Sequence, residues 1–231
     1  MIQGHALALP TAVLFDFGGT LDADGVAWKE RFFRLWCEEV EAIAPDRFAR
    51  AFYAADDALV GAVPPTLTLR ETVERIARGV TREMGVSDPA LAGRIAGRFL
   101  EEAGERLRAS ALLLSRLSRR YRLGVVSNFY GNLSAVCADA GLSPFLAVMV
   151  DSACVGCTKP DARIFQAALT GLSVEPAQAV FVGDSLPRDM AGARGIGMPH
   201  VWLTPKRSGG EEPCCPGDRV IHRLEELGRL L

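Results

Sequence analysis

The 231-residue sequence predicts an α/β fold, in which a parallel β-sheet is covered by helices on both faces. Two observations predict this fold. Short apolar segments alternate with segments of helical periodicity, and polar residues follow the apolar segments at their carboxyl ends. Strands and helices that alternate with short connections build parallel sheets, which bind ligands beyond the carboxyl ends of their strands. We therefore expect a ligand site at that edge of the sheet.

Five short apolar segments are the predicted strands. The first stops at Asp16 and a Gly-Gly pair, which is typical of a buried strand that delivers a polar residue to its end. Helical patterns precede or separate the later strands. The predicted strands cover residues 11–15, 123–126, 145–150, 179–182 and 200–203, and the predicted helices cover residues 112–121, 133–140, 162–169 and 187–195.

One long segment interrupts the alternation of strands and helices. Residues 24–106 contain helical stretches punctuated by prolines, such as Pro45 and Pro89, and no convincing strand. We predict a small helical domain inserted after the first strand, so that residues 1–22 and 107–231 form the core and residues 23–106 form the insert. The connections at residues 22–25 and 106–110 are the predicted hinges of a moving insert.

Composition excludes several classes of partner. The 26 basic and 28 acidic residues give a net charge of -2, so no global field favours nucleic acid or a membrane surface. No apolar run approaches the roughly 20 residues that span a bilayer. The amino-terminal segment lacks a basic start, and Asp16 interrupts its apolar stretch too early for a secretory signal. We expect a cytoplasmic protein with neither nucleic acid nor membrane as a partner.

The cysteines allow two interpretations. Cys154 and Cys157 form a CxxC pair, and Cys214 and Cys215 are adjacent near the end of the chain. Four thiols could gather into a zinc site. A vicinal pair is a poor partner for a CxxC pair, however, and a reducing cytosol disfavours disulfides. Incidental free thiols are therefore the favoured interpretation.

Polar residues that could take part in catalysis or binding follow the first two predicted strands. Asp16 precedes Gly18 and Gly19, and a carboxylate on a glycine turn can act as a nucleophile while backbone N–H groups cradle an anion. A simple strand-ending turn is the structural alternative. Ser127 and Asn128 follow the second strand, where a hydroxyl and an amide could bind a phosphoryl oxygen. A helix cap is the equally good alternative.

Two further polar groups come later in the chain. Lys159 is one of only three lysines beside 23 arginines, so its compact charge suggests selection for a site, although an exposed lysine is an even alternative. Asp184 and Asp189 follow the fourth strand near a glycine. Paired carboxylates suit a hard cation such as Mg²⁺, and helix capping by Asp184 is the alternative interpretation.

The ordered set is much more specific than any one member. Together the motifs resemble those of the haloacid dehalogenase-like (HAD) hydrolase superfamily over nearly the whole chain. The resemblance implies a Rossmann-like parallel sheet core with helices on both faces, plus an inserted helical-bundle cap domain. The four matching motifs are FDFGGTL at residues 15–21, VVSN at residues 125–128, TKPDARIF at residues 158–165 and FVGDSLPRD at residues 181–189.

The resemblance also implies roles for these residues. Asp16 is the expected nucleophile, which accepts a phosphoryl group from a small phosphorylated substrate. Gly18 and Gly19 are expected to contact the substrate, and Ser127, Asn128 and Lys159 to hold its phosphoryl oxygens. The expected Mg²⁺ ligands are Asp16, the Gly18 carbonyl and Asp184, with Asp189 close by.

One family position departs from the pattern. Phosphatases of this superfamily usually carry a second aspartate two residues after the nucleophile as general acid and base, and here that residue is Gly18. A dehalogenase, a phosphonate-cleaving enzyme that uses Lys29 as a Schiff base, and a non-catalytic or regulatory binding protein are the alternatives. A phosphatase would need a good leaving group or another acid. We consider Asp22 and Asp24 as candidates for that acid.

Substrate specificity is expected to reside in the helical insert. Several of its large side chains could line a pocket, although at helical spacing such residues more often form a helical core. These residues are Trp28, Arg31, Phe32, Trp36 and Tyr53.

Overall fold

The computed structural model describes residues 10–40, 43–205 and 219–231. Within these ranges, six parallel strands form one sheet, which confirms the predicted α/β fold. The strands are β1 (Ala12–Phe15), β2 (Arg122–Ser127), β3 (Val148–Asp151), β4 (Ala179–Gly183), β5 (His200–Leu203) and β6 (Arg219–Ile221). Their order across the sheet is β3-β2-β1-β4-β5-β6, so the first strand lies at the centre, between β2 and β4.

Apart from shifts of one residue at strand ends, the observed strands differ from the prediction at two places. Strand β3 begins at Val148 instead of residue 145, because Ser143–Phe145 forms a 3₁₀ turn and sheet pairing starts with the bond from the Ala147 N–H to the Leu123 carbonyl (2.8 Å). Strand β6 was not predicted. It has three residues at the edge of the sheet, too few for a two-residue alternation to stand out in the sequence.

Four helices occupy the segment between β1 and β2, as predicted, and we call residues 23–106 the cap. These helices are α1 (Trp28–Glu39), α2 (Pro45–Asp57), α3 (Leu69–Met84) and α4 (Leu91–Leu117). Five shorter helices accompany the rest of the sheet: α5 (Leu133–Asp139), α6 (Ser152–Val155), α7 (Ala162–Leu172), α8 (Ala191–Gly195) and α9 (Leu227–Leu230). None of the described helices combines the length and apolar character needed to span a membrane.

Local sequence explains where the cap helices begin. Helix α2 starts with Pro45, whose missing N–H costs nothing in the first turn. Helix α3 starts with a capping box, in which the Thr68 hydroxyl accepts from the Glu71 N–H (3.3 Å) and the Glu71 carboxylate accepts from the Thr68 N–H (2.9 Å). The apolar face of α3 then buries Val73, Ile76 and other side chains at helical spacing.

Helix α4 passes through the predicted boundary between insert and core. Its 27 residues are continuous, so the predicted hinge at residues 106–110 lies inside a helix and is not a loop. The predicted helix at residues 112–121 is the end of α4, which stops at Leu117. Buried Leu107 and Leu114 continue the apolar face past the boundary, which explains why the helix does not break there. The division into core and cap stays a prediction.

The two faces of the sheet bury separate apolar clusters. One cluster joins the cap to the core through aromatic side chains, including Trp28, Phe99 and Phe129, whose rings meet edge to face. The second cluster lies between the opposite face and helices α7 and α8, where Phe165 meets Phe181. The cap is therefore packed continuously onto the sheet edge that carries the predicted site.

The cysteines that the structure describes are free thiols. Cys154 is exposed and Cys157 is buried. The two thiols form no disulfide, and among the described residues they belong to no cluster of possible metal ligands. Burial raises the pKa of the Cys137 thiol to about 12. Cys214 and Cys215 lie outside the described residues.

Candidate active site

The carboxyl ends of three neighbouring strands deliver the predicted site residues. Asp16 directly follows β1, Ser127 ends β2, and Asp184 directly follows β4. Lys159 lies shortly before α7, and its buried side chain reaches the same place. The four residues line one cavity of about 450 Å³, together with Gly18, Asn128 and Asp189. The structure thus brings together seven of the eight predicted site residues, and Gly19 adjoins them in the chain.

Two donors converge on one oxygen of Asp16. The Ser127 hydroxyl donates to Asp16 Oδ1 (2.8 Å), and Lys159 Nζ lies 2.6 Å from the same atom. The carboxylate is only 7% exposed, so these bonds fix its orientation in the cavity wall. Neither donor engages Oδ2. The arrangement leaves Oδ2 free of these two bonds, as a carboxylate nucleophile would require.

Lys159 is the cation in contact with Asp16. Its Nζ also lies 2.7 Å from Asp189 Oδ1, so the ammonium bridges two buried carboxylates. Burial alone would lower the pKa of Lys159, but Asp16 and Asp189 more than reverse this effect, and the pKa is raised. Lys159 therefore stays protonated in the cavity wall.

Three carboxylates of the cavity meet the requirement for a divalent cation. Asp16, Asp184 and Asp189 each offer an oxygen within 4.8 Å of the others. Burial, and then the charges of Asp16 and Asp189, raise the pKa of Asp184 well above its ordinary value. Lys159 neutralises only part of this crowded negative charge. A hard cation with oxygen ligands fits these residues, whose crowding it would relieve.

Gly19 has a conformational role beside this cluster. Its φ of +91° lies in the left-handed region, and a Cβ there would approach Asp184 Oδ2 to 2.5 Å, so only glycine fits. The Gly19 N–H donates to Asp22 Oδ1 (2.7 Å). This N–H is therefore already bonded within the loop. It is not available to bind an anion, as was expected of the backbone N–H groups of this glycine turn.

Asn128 has a second role that the sequence did not predict. Its Oδ1 accepts from the Lys159 N–H (2.7 Å) and its Nδ2 donates to the Lys159 carbonyl (3.2 Å). The side chain thus fixes the backbone that carries the lysine. Its predicted bond to a phosphoryl oxygen stays a prediction.

Asp189 also has a defined structural role. Its Oδ2 accepts from the Ser185 N–H (3.0 Å), and its Oδ1 holds Lys159. Both oxygens are therefore engaged within the protein. These contacts favour a role for Asp189 in orienting Lys159. They leave it beside the candidate metal ligands and not among the principal ones.

The candidate acids Asp22 and Asp24 do not line the cavity, which corrects that expectation. Asp22 is fully buried, where it accepts from Trp28 Nε1 (2.7 Å) and pairs with Arg31 Nη1 (2.6 Å), in addition to its bond from Gly19. Asp24 pairs with Arg106 at 2.8 Å. Because both carboxylates serve the junction of cap and core, neither is placed to protonate a leaving group.

Trp28 occupies the space where the usual general acid would stand. A Cβ added to Gly18 would lie 3.2 Å from Trp28 Nε1, closer than ordinary van der Waals contact. Trp28 cannot move freely because its indole N–H is bonded to Asp22. Gly18 has φ -75° and ψ 117°, which other residues also adopt, so the restriction comes from Trp28 and not from the backbone.

Gly18→Ala is therefore expected to destabilise the fold by about 1 kcal/mol, at the low end of the range for overpacked sites. Urea denaturation measures the change. Gly93→Ala is the matched control, because a Cβ at Gly93 in α4 has no neighbour within 4 Å and alanine is the better helix former. Equal responses of the two variants would show that Trp28 does not crowd position 18.

The predicted pocket residues divide into two groups. Trp28 and Tyr53 line the cavity, together with Lys29 and Asp56 from the same cap helices. The other three, Arg31, Phe32 and Trp36, are buried inside the cap. Asp56 escaped the sequence analysis because a single carboxylate near the end of a helix has no signal of its own.

The fold and the site together define a hydrolase with a carboxylate at its centre. A sequence model of the haloacid dehalogenase-like hydrolase family matches residues 10–197, and the chain belongs to this family.

Two curated relatives illustrate the similarity, one along most of its length and one along about half of its length. The chain is 33% identical over 205 residues to phosphoglycolate phosphatase of Rhodospirillum rubrum, an alignment that covers 85% of this chain and 80% of that protein. It is 40% identical over 127 residues to haloacid dehalogenase-like hydrolase domain-containing protein 3 of Bos taurus, covering 53% of this chain and 49% of that protein. The chain thus spans about half the length of that relative.

Solved structures with the same fold cover nearly the whole chain. The magnesium-bound HAD-hydrolase YfnB of Bacillus subtilis matches with a TM-score of 0.57 at 19% identity, covering 96% of this chain and 99% of that chain. A dehalogenase with an intermediate complex matches with a TM-score of 0.64 at 20% identity, covering 96% and 97%. At such identities the likeness is one of fold alone.

Proposed function

We propose that the protein is a Mg²⁺-dependent phosphatase that acts on a small phosphorylated metabolite through an aspartyl-phosphate on Asp16. The observation that carries this proposal is the geometry around Asp16. Ser127 and Lys159 hold its Oδ1, and two further carboxylates crowd the same cavity. Such a site supplies a fixed nucleophile and a place for a cation, the two features that phosphoryl transfer most needs.

The protein's own residues account for binding and attack. The Ser127 hydroxyl and Lys159 ammonium bind phosphoryl oxygens, and Lys159 stabilises the negative charge on those oxygens as Asp16 attacks phosphorus. Asn128 keeps Lys159 in place through two backbone bonds. Asp16, the Gly18 carbonyl and Asp184 would hold Mg²⁺, with Asp189 beside them, and the ion supplies further positive charge against the phosphoryl oxygens.

Two cavity features favour a phosphatase over the alternatives. The cluster of three carboxylates suits a divalent cation, which the dehalogenase branch of the family generally does without. A phosphonate-cleaving enzyme would need a neutral amine on Lys29. Burial would lower the pKa of Lys29, but its partner Glu30 (3.1 Å) and Tyr53 raise it overall, so the amine stays protonated. The similarity to phosphoglycolate phosphatase agrees with a phosphorylated substrate.

The free thiols of the described cysteines fit the proposed cytoplasmic location.

A substrate screen tests the proposal directly. Purified protein is incubated with p-nitrophenyl phosphate and with a panel of phosphorylated metabolites that includes phosphoglycolate and phosphoserine, in Mg²⁺ or in EDTA. We expect phosphate release in Mg²⁺ only. Absence of release across the panel would instead favour a binding or regulatory member of the family.

Asp184→Asn is expected to weaken Mg²⁺ binding by more than about 10-fold, since even residues behind the metal ligands typically contribute 10–100-fold to affinity. The substitution removes a charge and keeps the shape, so the bond from the Thr20 hydroxyl (3.1 Å) is retained. Isothermal calorimetry with Mg²⁺ alone measures the affinity, and exposed Asp139→Asn is the control. Unchanged binding in Asp184→Asn would mean that the cation is held elsewhere.

A further inference from the structure

The cap contributes one carboxyl group to the cavity. Asp56 lies in the last turn of α2, and it lines the cavity together with Phe52 and Tyr53 of the same helix. On the core side, buried Tyr130 follows β2 and donates its hydroxyl to Asp56 Oδ1. A second contact, from the Gly61 N–H to the Tyr130 carbonyl (3.1 Å), fixes the same junction. Asp56 is therefore held in position over the site.

The other carboxyl groups of the described cavity are already occupied. Asp16, Asp184 and Asp189 form the cluster at the strand ends. Glu30 is paired with Lys29 at 3.1 Å, and its side chain is 44% exposed. Among the carboxyl groups that line the described cavity, Asp56 is the one that lies outside this cluster and is bonded to a neutral partner, the Tyr130 hydroxyl.

The surroundings of Asp56 favour its protonated form. Burial raises the pKa of its carboxyl group, and the neighbouring charge of Asp57 acts in the same direction. The hydrogen bond from Tyr130 and the charge of Arg188 oppose this effect, yet the net change in pKa is upward. A carboxyl group that keeps its proton nearer to neutral pH is suited to general acid catalysis.

We propose that Asp56 protonates the leaving group and so replaces the carboxylate that Gly18 does not provide. This inference rests on the proposed phosphatase function and deepens it. In an in-line reaction the leaving group departs on the side opposite Asp16. Asp56 lines the same cavity from a cap helix, whereas Asp16 lies at a strand end of the core. Tyr130 acts as a positioning residue, because it touches Asp56 and stabilises the carboxylate that remains after proton transfer.

The chemistry balances over two steps. First, the bond from Asp16 to phosphorus forms while the bond to the leaving oxygen breaks, and that oxygen takes the Asp56 proton and departs as an alcohol. Then the Asp56 carboxylate takes a proton from water as the water oxygen bonds to phosphorus. The bond between Asp16 and phosphorus breaks, which releases phosphate and restores both side chains.

The test measures kcat/KM in Mg²⁺ for phosphate monoesters whose leaving groups span a wide range of pKa, from nitrophenols to simple alcohols. For Asp56→Asn we expect a loss of about 10²–10⁴-fold with alkyl esters, because only poor leaving groups need the proton. The kcat/KM of nitrophenyl esters should stay close to the wild-type value, because this ratio reports the steps up to departure of the leaving group and not the later hydrolysis. The matched control is Asp46→Asn, an exposed aspartate at the other end of the same helix, which should leave both series unchanged. Tyr130→Phe should show a smaller loss, again confined to alkyl esters.

Equal losses with both series in Asp56→Asn would overturn the proposal, because they indicate that Asp56 only binds substrate or supports the cap. No loss with either series would overturn it as well. If the wild-type protein hydrolysed neither series, the phosphatase function itself would fail, and the role of Asp56 with it. Thermal unfolding of each variant shows whether a decrease in kcat/KM common to both series comes from loss of structure.

Discussion

Asp16→Asn is expected to lower kcat by at least about 10⁴-fold for every substrate that the wild-type protein hydrolyses, because an amide cannot accept the phosphoryl group. The asparagine oxygen can still accept from Ser127 and Lys159, so the substitution preserves the local hydrogen bonds. The fold should therefore be retained. The amide would also weaken the proposed cation site, which adds to the expected loss.

Two measurements separate the nucleophile from its other roles. Rapid acid quenching followed by peptide mass spectrometry should find one phosphoryl group on Asp16 in the wild-type protein and none in Asp16→Asn. Exposed Asp139→Asn provides the control for handling and folding. A phosphorylated peptide that does not contain Asp16, or activity that survives the substitution, would assign the nucleophile to another residue.

The second large effect is expected on stability. Lys159→Met should lower the free energy of unfolding by about 3–5 kcal/mol in metal-free buffer, the range for breaking a buried ion pair by removing one partner. The ammonium bridges Asp16 and Asp189, and without it the buried carboxylates lose their shared cation. Urea denaturation in EDTA measures the loss.

Two companion variants test the electrostatic origin of this loss. Lys29→Met is the matched control, because that lysine is partly exposed and pairs with a surface glutamate, so little stability should be lost. The double variant Lys159→Met/Asp189→Asn should recover part of the stability, since it removes one of the stranded charges. A double variant that loses as much as the two single variants added together would show that repulsion is not the cause.

The residues at the strand ends were predictable because parallel strands impose their geometry. Apolar strand segments mark their own carboxyl ends, and neighbouring parallel strands bring those ends to one edge of the sheet. Asp16, Ser127 and Asp184 therefore meet without any knowledge of side-chain packing. Lys159 required the family resemblance, because no strand ends directly before it.

Contacts between the cap and the core could not be predicted in the same way. The approach of Trp28 to Gly18 and the bond between Tyr130 and Asp56 depend on how helices dock, and sequence periodicity does not encode docking. Asn128 was predicted as a site residue, but its bonds to the Lys159 backbone follow from a loop conformation and were not predicted. The continuity of α4 was missed because charged residues around Arg106 resemble a linker when the buried apolar residues on either side, Ala103 and Leu107, are assigned to separate domains.

Helix α4 also determines how the molecule can be dissected. At a rise of 1.5 Å per residue, its 27 residues form a rod of about 40 Å that belongs to both parts of the chain. Cutting or splicing the gene at residue 106 would divide this helix. Buried Leu107 and Leu114 would then lie in a fragment separated from the first part of the helix. A cap exchanged between relatives must therefore include α4 as far as Leu117, together with the core surface against which the helix lies.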